Sequence, residues 1–436
     1  MSGISINKNR LYFGNKDVLN FIKNKETPLF LFSQTRFEDN YKAFLGAFKK
    51  YYKKTYIYYS VKTNYEPKML NTLSKLGSGV EVASALEAKI SLNSGFNPKD
   101  IIVDGPCWTD EDIEYFIKNG VSTLNVDSIE EMERVSKIAV KLKKTQRVGF
   151  RIFPEMPVSL LKSFIESYIS KFGIPISKAI DAYKYAQTLP NLQVCAVSTH
   201  IGSMITDPSY YEKTLDRLVK LAFNLKKNLN IEVEEINLGG GYGVQSLNYY
   251  SIQNIILNKV GVSMYGKAAT IEEFGKRIAT RFAQNVKRYK LTEINLFLEP
   301  GRFIASDSGI LVTKVMSVKD NWVFINGGIN IVPESIFFIR RGFIVANKLD
   351  AKPTQTYNIA GPTLSTSDVV STNQKMPRLE LGDIIIVLDA GAYTLSRSNQ
   401  FTVLRPDVFF IDAKGNISLL RKKEVHEDFL KMLTFK

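Results

Sequence analysis

Cysteine and histidine are scarce in this chain of 436 residues, which contains only Cys107, Cys195, His200 and His426. So few thiols exclude a disulfide scaffold, and the four residues are too few for the common kinds of zinc site. An all-carboxylate site stays possible from the sequence, but no EF-hand spacing occurs. We therefore predict no metal.

Long apolar runs are also absent. No segment has the continuous apolar length of a membrane span, and the first ten residues lack the apolar core of a signal peptide. We therefore expect a cytoplasmic protein with no membrane partner. A hydrophobic fraction of 44% beside a charged fraction of 23% indicates a globular chain.

Acidic residues are in the minority, with 43 Asp and Glu against 58 Lys and Arg and a net charge of +15. Such an excess of positive charge is typical of proteins that bind nucleic acids or anionic membranes. The lysines are spread along the chain, however, and the densest groups, at 49–54 and 421–423, are short. We therefore expect a solvated surface that attracts anionic substrates or cofactors, and no nucleic-acid partner.

Strand-like and helix-like patterns alternate from Tyr56 to Glu299. Most of the predicted strands are short apolar runs, as expected for strands buried on both faces. Their ranges are Tyr56–Val61, Val80–Ala83, Ile101–Val103, Thr123–Val126, Val148–Phe153, Val194–Thr199, Glu235–Leu238 and Asn295–Leu298. Eight strands alternating with helices predict an α/β fold of the (β/α)8 TIM-like barrel type. An open doubly wound sheet is the alternative, but it needs a glycine-rich phosphate loop after its first strand, and none occurs.

The rhythm changes after about Ala305, where strands follow one another without helices. The predicted strands are Ile310–Val318, Trp322–Ile325, Gln355–Ala360, Asp383–Leu388, Val408–Ile411 and Ile417–Leu420. This pattern predicts a C-terminal all-β domain. We place the barrel at residues 26–300 and the β-rich domain at 301–436, together with 1–25.

Polar or unusual residues follow the predicted barrel strands, where the catalytic groups of such barrels collect. Lys62 follows the first strand. A lysine there can hold an aldehyde cofactor as a Schiff base, or it can simply reach water. The other strand ends carry Glu81, Arg151, His200-Ile201-Gly202-Ser203, Gly239-Gly240-Gly241 and Glu299-Pro300-Gly301-Arg302.

Each of these residues has a structural and a functional interpretation. The three glycines form a flexible turn, or they present bare N–H groups to a phosphate. His200 is structural, or it forms the wall of a pocket for a planar ring. Glu299 pairs with Arg302 in a turn, or it faces a ring nitrogen. The functional interpretations together match pyridoxal phosphate, and a carboxylate at the pyridine nitrogen favours decarboxylation.

From about Pro28 to Glu424, the chain resembles the fold-type III pyridoxal-phosphate-dependent decarboxylases. This is the diaminopimelate, ornithine and arginine decarboxylase family. The shared motifs are Tyr59-Ser60-Val61-Lys62-Thr63-Asn64, Gly79-Val80-Glu81-Val82-Ala83-Ser84, His200-Ile201-Gly202-Ser203, Asn237-Leu238-Gly239-Gly240-Gly241-Tyr242-Gly243, Glu299-Pro300-Gly301-Arg302, and Gly382-Asp383 with Asp389-Ala390-Gly391-Ala392-Tyr393-Thr394. The resemblance implies a barrel followed by a β domain, and a head-to-tail homodimer with shared active sites.

The resemblance also implies roles for individual residues. Lys62 would bind the cofactor, His200 would stack on its ring, and Glu299 would pair with the pyridine nitrogen. The phosphate site would include Ser203, Gly239, Gly240, Gly241, Gly301, Arg302 and Tyr393. Glu81 and Arg151 would support the ring and Lys62. The substrate would meet Arg302, Arg340, Ser365, Asp368 and Tyr393, with Ser365 also a candidate catalytic group.

Two departures from the family pattern bear on the substrate. The family carries Gly-Pro-x-Cys-(Glu/Asp)-x-x-Asp where this chain has Gly361-Pro362-Thr363-Leu364-Ser365-Thr366-Ser367-Asp368. Leu364 replaces the cysteine that reprotonates the product, and Ser365 replaces the acid that meets the substrate's distal amino group. Residues 337–342 do not reproduce the arginine and tyrosine pattern expected for the distal carboxylate of diaminopimelate.

We therefore predict a pyridoxal-phosphate-dependent decarboxylase of an amino acid or amino-acid conjugate, with altered specificity. Lys62, Ser365 or a water would return the proton to the product. Two alternatives stay open at the level of sequence. One is a catalytically impaired regulator that binds the cofactor, and the other is a lyase whose carbanion takes a different course.

Overall fold

The computed structural model describes residues 3–155, 171–249, 268–291, 294–337 and 339–435. The chain divides into two compact units. One unit comprises Met1–Asn40, Val244–Lys267 and Ile304–Lys436, and the other comprises Tyr41–Gly243 and Ala268–Phe303. We refer to them as the β-rich unit and the barrel unit.

The barrel unit contains eight parallel strands that close on themselves. They are Thr55–Ser60, Gly79–Val82, Ile101–Asp104, Thr123–Val126, Gln146–Phe153, Leu192–Ser198, Glu235–Asn237 and Asn295–Leu298. Each strand pairs with the next, and the last pairs with the first through Leu298 and Ile57. A two-residue strand, Ile174–Pro175, extends the edge of the fifth. The prediction of a (β/α)8 barrel is confirmed.

Helices alternate with these strands. The described ones are Gln34–Lys49, Pro67–Lys75, Ala85–Asn93, Asp110–Asn119, Ile129–Lys141, Ala179–Ala186, Ser209–Leu229 and Ile271–Arg288. Several begin at a hydroxyl residue that accepts a backbone N–H from the first turn, as helix caps do. Ser84, Thr109, Ser128 and Thr270 take this position.

The amino end of the barrel is filled by structural contacts. Tyr58, Ile102 and Phe297 form an apolar cluster, in which the Tyr58 and Phe297 ring centroids lie 4.5 Å apart. Below them Arg147 pairs with Glu235, whose carboxylate also accepts a hydrogen bond from Thr123 at 3.0 Å. With this end packed, the carboxyl ends of the strands are left to form a site.

The β-rich unit is built mainly on one large sheet. Its strands are Leu29–Ser33, Gly309–Lys319, Trp322–Ile325, Phe343–Val345, Gln355–Ala360, Val369–Met376, Ile384–Val387, Asp407–Ile411 and Ile417–Arg421. Smaller sheets are formed by Ile4–Asn7, Arg10–Phe13 and Lys16–Asp17, and by Asn248–Tyr249 with Ile339–Arg340. Short helices lie at Val18–Ile22 and His426–Leu430, and the helix Arg302–Ala305 begins in the barrel unit and ends in the β-rich unit. The predicted C-terminal β domain is confirmed.

The strand Leu29–Ser33 corrects one sequence-based assignment. Residues from 26 onward were placed in the barrel, but this strand pairs with Gly309–Lys319 on one side and Asp407–Ile411 on the other. All five of its residues are buried. An apolar run of this kind is stable where both faces and both edges are covered, and the centre of the β sheet meets that need.

Candidate active site

The carboxyl ends of the barrel strands carry buried polar side chains. Ser60, Glu81, Asp104, Ser198, Asn237 and Glu299 are each at most 4% exposed. Buried polar groups are expected to be hydrogen-bonded, and these side chains bond to one another or to neighbouring backbone. The strand ends therefore carry several hydrogen-bonded polar groups at one end of the barrel.

Lys62 lies in a single helical turn, Val61–Thr63, directly after the first strand. Its Nζ lies 2.8 Å from Oε1 and 2.7 Å from Oε2 of Glu81. Ser60 donates its hydroxyl to Oε2 of the same carboxylate at 2.6 Å. The Lys62 side chain is 43% exposed, against 2% for Glu81. The buried carboxylate thus orients an amine that a small molecule can reach.

Gly301 explains why the eighth strand can turn so close to Lys62. A Cβ atom added at Gly301 would lie 1.9 Å from the hydroxyl oxygen of Thr63, the residue after Lys62. No side chain fits at that distance, so glycine is required for this approach. The predicted site residue Gly301 therefore contributes by bringing two strand ends together.

Arg151 is held by two carboxylates. Its Nη1 donates to Asp104 at 2.8 Å, and its Nε lies 4.0 Å from Asp127. Asp104 also accepts the hydroxyl of Ser198 at 2.9 Å. The guanidinium lies over the Phe172 ring, 4.6 Å from its centroid. Arg151 is therefore fixed in the wall of the site, consistent with the supporting position predicted for it.

His200 follows the sixth strand and accepts a hydrogen bond at Nδ1 from the backbone N–H of Gly240, at 3.1 Å. Desolvation of the ring, with Arg151 and Lys62 nearby, lowers the pKa of His200 to about 3. The imidazole is therefore neutral at physiological pH, with its proton on Nε2. A flat, neutral ring held by the backbone suits stacking on an aromatic ligand.

The glycines after the seventh strand adopt conformations and contacts that exclude side chains. Gly239 and Gly241 have φ values of +67° and +90°. A Cβ atom at Gly240 would lie 2.3 Å from the Glu299 carbonyl oxygen, and one at Gly241 would lie 2.0 Å from that of Gly202. These three residues therefore form a turn with a bare backbone surface.

The backbone N–H groups of these glycines differ in their availability. Those of Gly239 and Gly240 donate to Asn237 and His200 within the protein. Within the described ranges, the Gly241 N–H has no partner. A bare N–H at such a turn is suited to an anionic oxygen, so Gly241 is the glycine best placed to meet a phosphate.

Glu299 directly follows the eighth strand and is 4% exposed. Its Oε1 accepts a hydrogen bond from the Asn237 side-chain amide at 2.6 Å. Burial, followed by the nearby carboxylates of Glu81 and Asp104, raises the pKa of Glu299 well above its ordinary value. A buried carboxyl group of this kind can share a proton with a ring nitrogen.

Two of the remaining predicted residues belong to the barrel unit and four to the β-rich unit. Ser203 is exposed after the sixth strand, and Arg302, 7% exposed, begins the helix Arg302–Ala305. Arg340, Ser365, Asp368 and Tyr393 belong to the β-rich unit. Sequence reasoning missed Asp104 and Asn237 as site residues, although each is the last residue of an observed barrel strand.

Asp368, predicted as a substrate contact, makes three hydrogen bonds within the β-rich unit. Its carboxylate accepts the Ile329 N–H at 2.9 Å, the Thr363 N–H at 2.8 Å and the Thr363 hydroxyl at 2.6 Å. The residue is 3% exposed. These bonds join Asp368 to Thr363 within the loop 361–368 and to Ile329 outside it.

Among the residues that the structure describes, no group of three or more His, Cys, Asp or Glu side chains has an arrangement that could hold a metal ion. No helix in the described ranges is both long enough and apolar enough to span a membrane.

The donor set fits pyridoxal phosphate. An accessible lysine suits its aldehyde, the Gly241 N–H its phosphate, the neutral His200 ring its pyridine ring, and the buried Glu299 carboxyl its ring nitrogen. Each of these four parts of the cofactor thus has a matching group among the described residues.

Comparison with known proteins agrees with this chemistry. Residues 37–306 match the family described as pyridoxal-dependent decarboxylase, pyridoxal binding domain. The diaminopimelate decarboxylase of Archaeoglobus fulgidus is 29% identical over 420 residues, covering 95% of this chain and 94% of that protein. That of Methanocaldococcus jannaschii is 28% identical over 440 residues, covering 98% and 95%.

A solved structure is similar over the whole chain. The M. jannaschii diaminopimelate decarboxylase in complex with L-lysine has a TM-score of 0.89 at 28% identity, covering 100% of this chain and 99% of that one. The predictions of a decarboxylase and of pyridoxal phosphate as its cofactor are confirmed. The chain belongs to the pyridoxal-dependent decarboxylase family.

Proposed function

We propose that this enzyme decarboxylates an amino acid or amino-acid conjugate that lacks a distal ammonium group. The observation that carries the proposal is the loop 361–368, where Asp368 is the only acidic residue. Its carboxylate is buried and accepts hydrogen bonds from Ile329 and Thr363. Ser365 stands where the resembled family has an acid, and its hydroxyl lies 2.7 Å from that of Ser367. A distal ammonium would therefore find no exposed carboxylate on this loop.

We also propose a homodimer in which this loop enters the active site of a second copy. Leu364 is 97% exposed, although the base of its loop is fixed by Asp368. Covering a leucine side chain is worth about 1.5–3 kcal/mol. The resemblance places this loop across a dimer interface, and an apolar tip on a fixed base suits that position.

Bound pyridoxal phosphate would supply an aldehyde for the substrate amine and a ring that accepts the electron pair left on the substrate carbon when carbon dioxide departs. Glu299 would face the ring nitrogen with its buried carboxyl group, and His200 would cover one face of the ring. Leu364 has no proton to donate. We assign the return of a proton to the product to Lys62 Nζ, which Glu81 keeps oriented.

The substrate proposal is tested with a matched pair of compounds. Each enantiomer of 2-aminopimelate is compared with meso-diaminopimelate, which differs by one amino group, in assays of carbon dioxide release. We expect kcat/KM to favour 2-aminopimelate. Ser365→Glu should then raise kcat/KM for meso-diaminopimelate about tenfold, because one charge-assisted hydrogen bond contributes about 1.5–3 kcal/mol.

The control is Ser367→Glu, which adds the same charge two residues away and should change this preference less. A wild-type preference for meso-diaminopimelate would contradict the proposed substrate class. That compound is the second candidate, supported by the near full-length similarity to the diaminopimelate decarboxylases. Mass spectrometry of the products separates decarboxylation from a diverted reaction.

Gly241→Ala should weaken cofactor binding by at least about tenfold. The new methyl group would lie 2.0 Å from the Gly202 carbonyl oxygen, so the turn that presents the Gly241 N–H must move. Loss of one hydrogen bond to a charged group is worth about 1.5–3 kcal/mol. The measurement is a titration of the apoprotein with pyridoxal phosphate, followed by absorbance.

Gly77→Ala is the matched control for this change. Gly77 also has a positive φ, +76°, but a Cβ atom there would meet nothing within 4 Å. Both variants therefore carry backbone strain, and only Gly241→Ala adds a clash in the site. Equal affinities of the two variants for the cofactor would exclude Gly241 from the phosphate site.

A further inference from the structure

Asn237 is the last residue of the seventh barrel strand and is 2% exposed. Its side-chain Nδ2 donates to Glu299 Oε1 at 2.6 Å, and its Oδ1 accepts the backbone N–H of Gly239 at 2.8 Å. Reversal of the amide would set oxygen against oxygen and N–H against N–H. The two bonds therefore fix one orientation of the amide.

These contacts close a ring of hydrogen bonds. Besides the two side-chain bonds of Asn237, the backbone N–H of Glu299 donates to the carbonyl oxygen of Gly239 at 2.9 Å. The ring thus runs from the Asn237 side chain to the Glu299 side chain, back through the Glu299 backbone to Gly239, and returns to Asn237. It couples the acid of the site to the first glycine of the turn.

Asn237 is itself held by its neighbours. Its carbonyl oxygen accepts the Thr199 N–H at 2.9 Å, and its Cα pairs in register with Ser198 and Phe297 in the adjacent strands. A side chain on a central strand is positioned more precisely than one on a loop. Asn237 is therefore a rigid base for Glu299.

The electrostatic surroundings make this bond consequential. Burial and the carboxylates of Glu81 and Asp104 favour the protonated form of Glu299, whereas Lys62 and the Asn237 amide favour its ionised form. The amide donates to a carboxylate oxygen and offers no proton of its own to share. The Asn237 amide therefore stabilises the ionised form of Glu299 and does not itself titrate.

We propose that Asn237 is a positioning residue that keeps Glu299 Oε1 as a hydrogen-bond acceptor and leaves Oε2 for the pyridine nitrogen. The inference rests on the proposed pairing of Glu299 with that nitrogen. Asn237 acts through Glu299 and Gly239, and it has no direct role toward substrate. Its side chain thus couples the site of the ring nitrogen to the turn proposed for the phosphate.

Two substitutions separate the two bonds of Asn237. Asn237→Asp keeps an acceptor for the Gly239 N–H but replaces the amide donor with a second carboxyl group beside Glu299. When protonated, that group donates to Glu299 as the amide does; when ionised, it repels Glu299. Asn237→Ala removes both bonds at every pH.

We expect Asn237→Asp to gain a new pH dependence. kcat should fall as the pH rises through the pKa of the introduced carboxyl group, by about 10- to 100-fold for one charge-assisted hydrogen bond. The visible absorbance of bound pyridoxal phosphate should change over the same pH range, while the wild-type spectrum does not. Asn237→Ala should weaken cofactor binding and lower kcat about 10- to 100-fold without that transition.

Asn285→Asp is the matched control. Asn285 is 5% exposed, and its Nδ2 donates to an Asp216 carboxylate oxygen at 2.7 Å between two outer helices. The substitution creates the same carboxyl pair away from the cofactor. It should lower the melting temperature and leave the pH dependence of the cofactor absorbance unchanged.

The outcomes distinguish failure of this inference from failure of the proposed function. A wild-type pH dependence in Asn237→Asp, or wild-type cofactor affinity and kcat in Asn237→Ala, overturns the positioning role. If Glu299→Gln also leaves the cofactor spectrum and kcat unchanged, the pairing of Glu299 with the ring nitrogen fails first. A new transition in Asn237→Asp and none in Asn285→Asp supports the inference.

Discussion

Lys62→Ala is expected to abolish decarboxylation, lowering kcat by at least about a thousandfold, since covalent and proton-transfer contributions are lost together. The variant lacks the amine that binds the cofactor aldehyde. It also lacks the proton donor that we assign in place of the missing cysteine. The measurements are carbon dioxide release and the visible absorbance of lysine-bound pyridoxal phosphate, which should disappear.

Lys62→Ala should also lower the stability of the protein, because it leaves the buried Glu81 carboxylate without its lysine partner. The Glu81 side chain is 2% exposed, and in Lys62→Ala the carboxylate retains only the Ser60 hydroxyl among the bonds described above. An uncompensated buried charge destabilises a fold, so the melting temperature should fall. Adding Glu81→Gln should recover part of that loss without recovering activity.

Lys75→Ala is the control for removal of a lysine. Lys75 is exposed at the end of the helix Pro67–Lys75, so its substitution should leave activity and absorbance unchanged. Retention of the lysine-bound absorbance in Lys62→Ala would mean that another lysine binds the cofactor. That result would contradict the role of Lys62 as the lysine that binds the cofactor.

Most of the barrel could be predicted from local sequence, because a strand that is buried on both faces consists of a short run of apolar residues. Thr123–Val126 and Asn295–Leu298 have the predicted bounds. Leu29–Ser33 has the same kind of run, but its partners begin at Gly309 and Asp407. A local run of apolar residues predicts a strand of this type, but it does not predict which distant strands will pair with it.

The candidate site divides along similar lines. Lys62, His200 and Glu299 could be proposed because each is an unusual residue at a predicted strand end. Asp104 and Asn237 also end strands, but aspartate and asparagine are common at turns, so their type carried no signal. What distinguishes them is a partner on another strand: Arg151 for Asp104, and Glu299 for Asn237. Such pairs become visible only when the barrel closes.

Glu299→Gln is the second large effect, and it should separate activity from stability. The Gln side chain has nearly the same shape, and its oxygen can still accept from Asn237. Its other polar atom is then an N–H donor, which cannot accept a proton from the pyridine nitrogen. We expect kcat to fall by about 10²- to 10⁴-fold, the range of a lost general acid or base. Cofactor binding should be largely retained, since Gly241 and Lys62 are intact.

The stability of the apoprotein should change in the opposite direction. Folding raises the pKa of Glu299 above its ordinary value of 4.5, because burial, Glu81 and Asp104 disfavour the charged form. A group with a raised folded-state pKa releases a proton more readily when unfolded, so its ionisation destabilises the folded state as the pH rises above the ordinary value. Glu299→Gln removes that ionisation and should raise the melting temperature at neutral pH.

The pH dependence makes this prediction specific. Near pH 4 and below, Glu299 is protonated in both states, so wild type and Glu299→Gln should melt at similar temperatures. The gap should widen as the pH rises toward neutrality, with the variant more stable. A gap independent of pH would assign the gain to packing rather than to the charge. A less stable variant at neutral pH would mean that Glu299 is well compensated in the apoprotein, so that its charge imposes no cost on the fold before the cofactor binds.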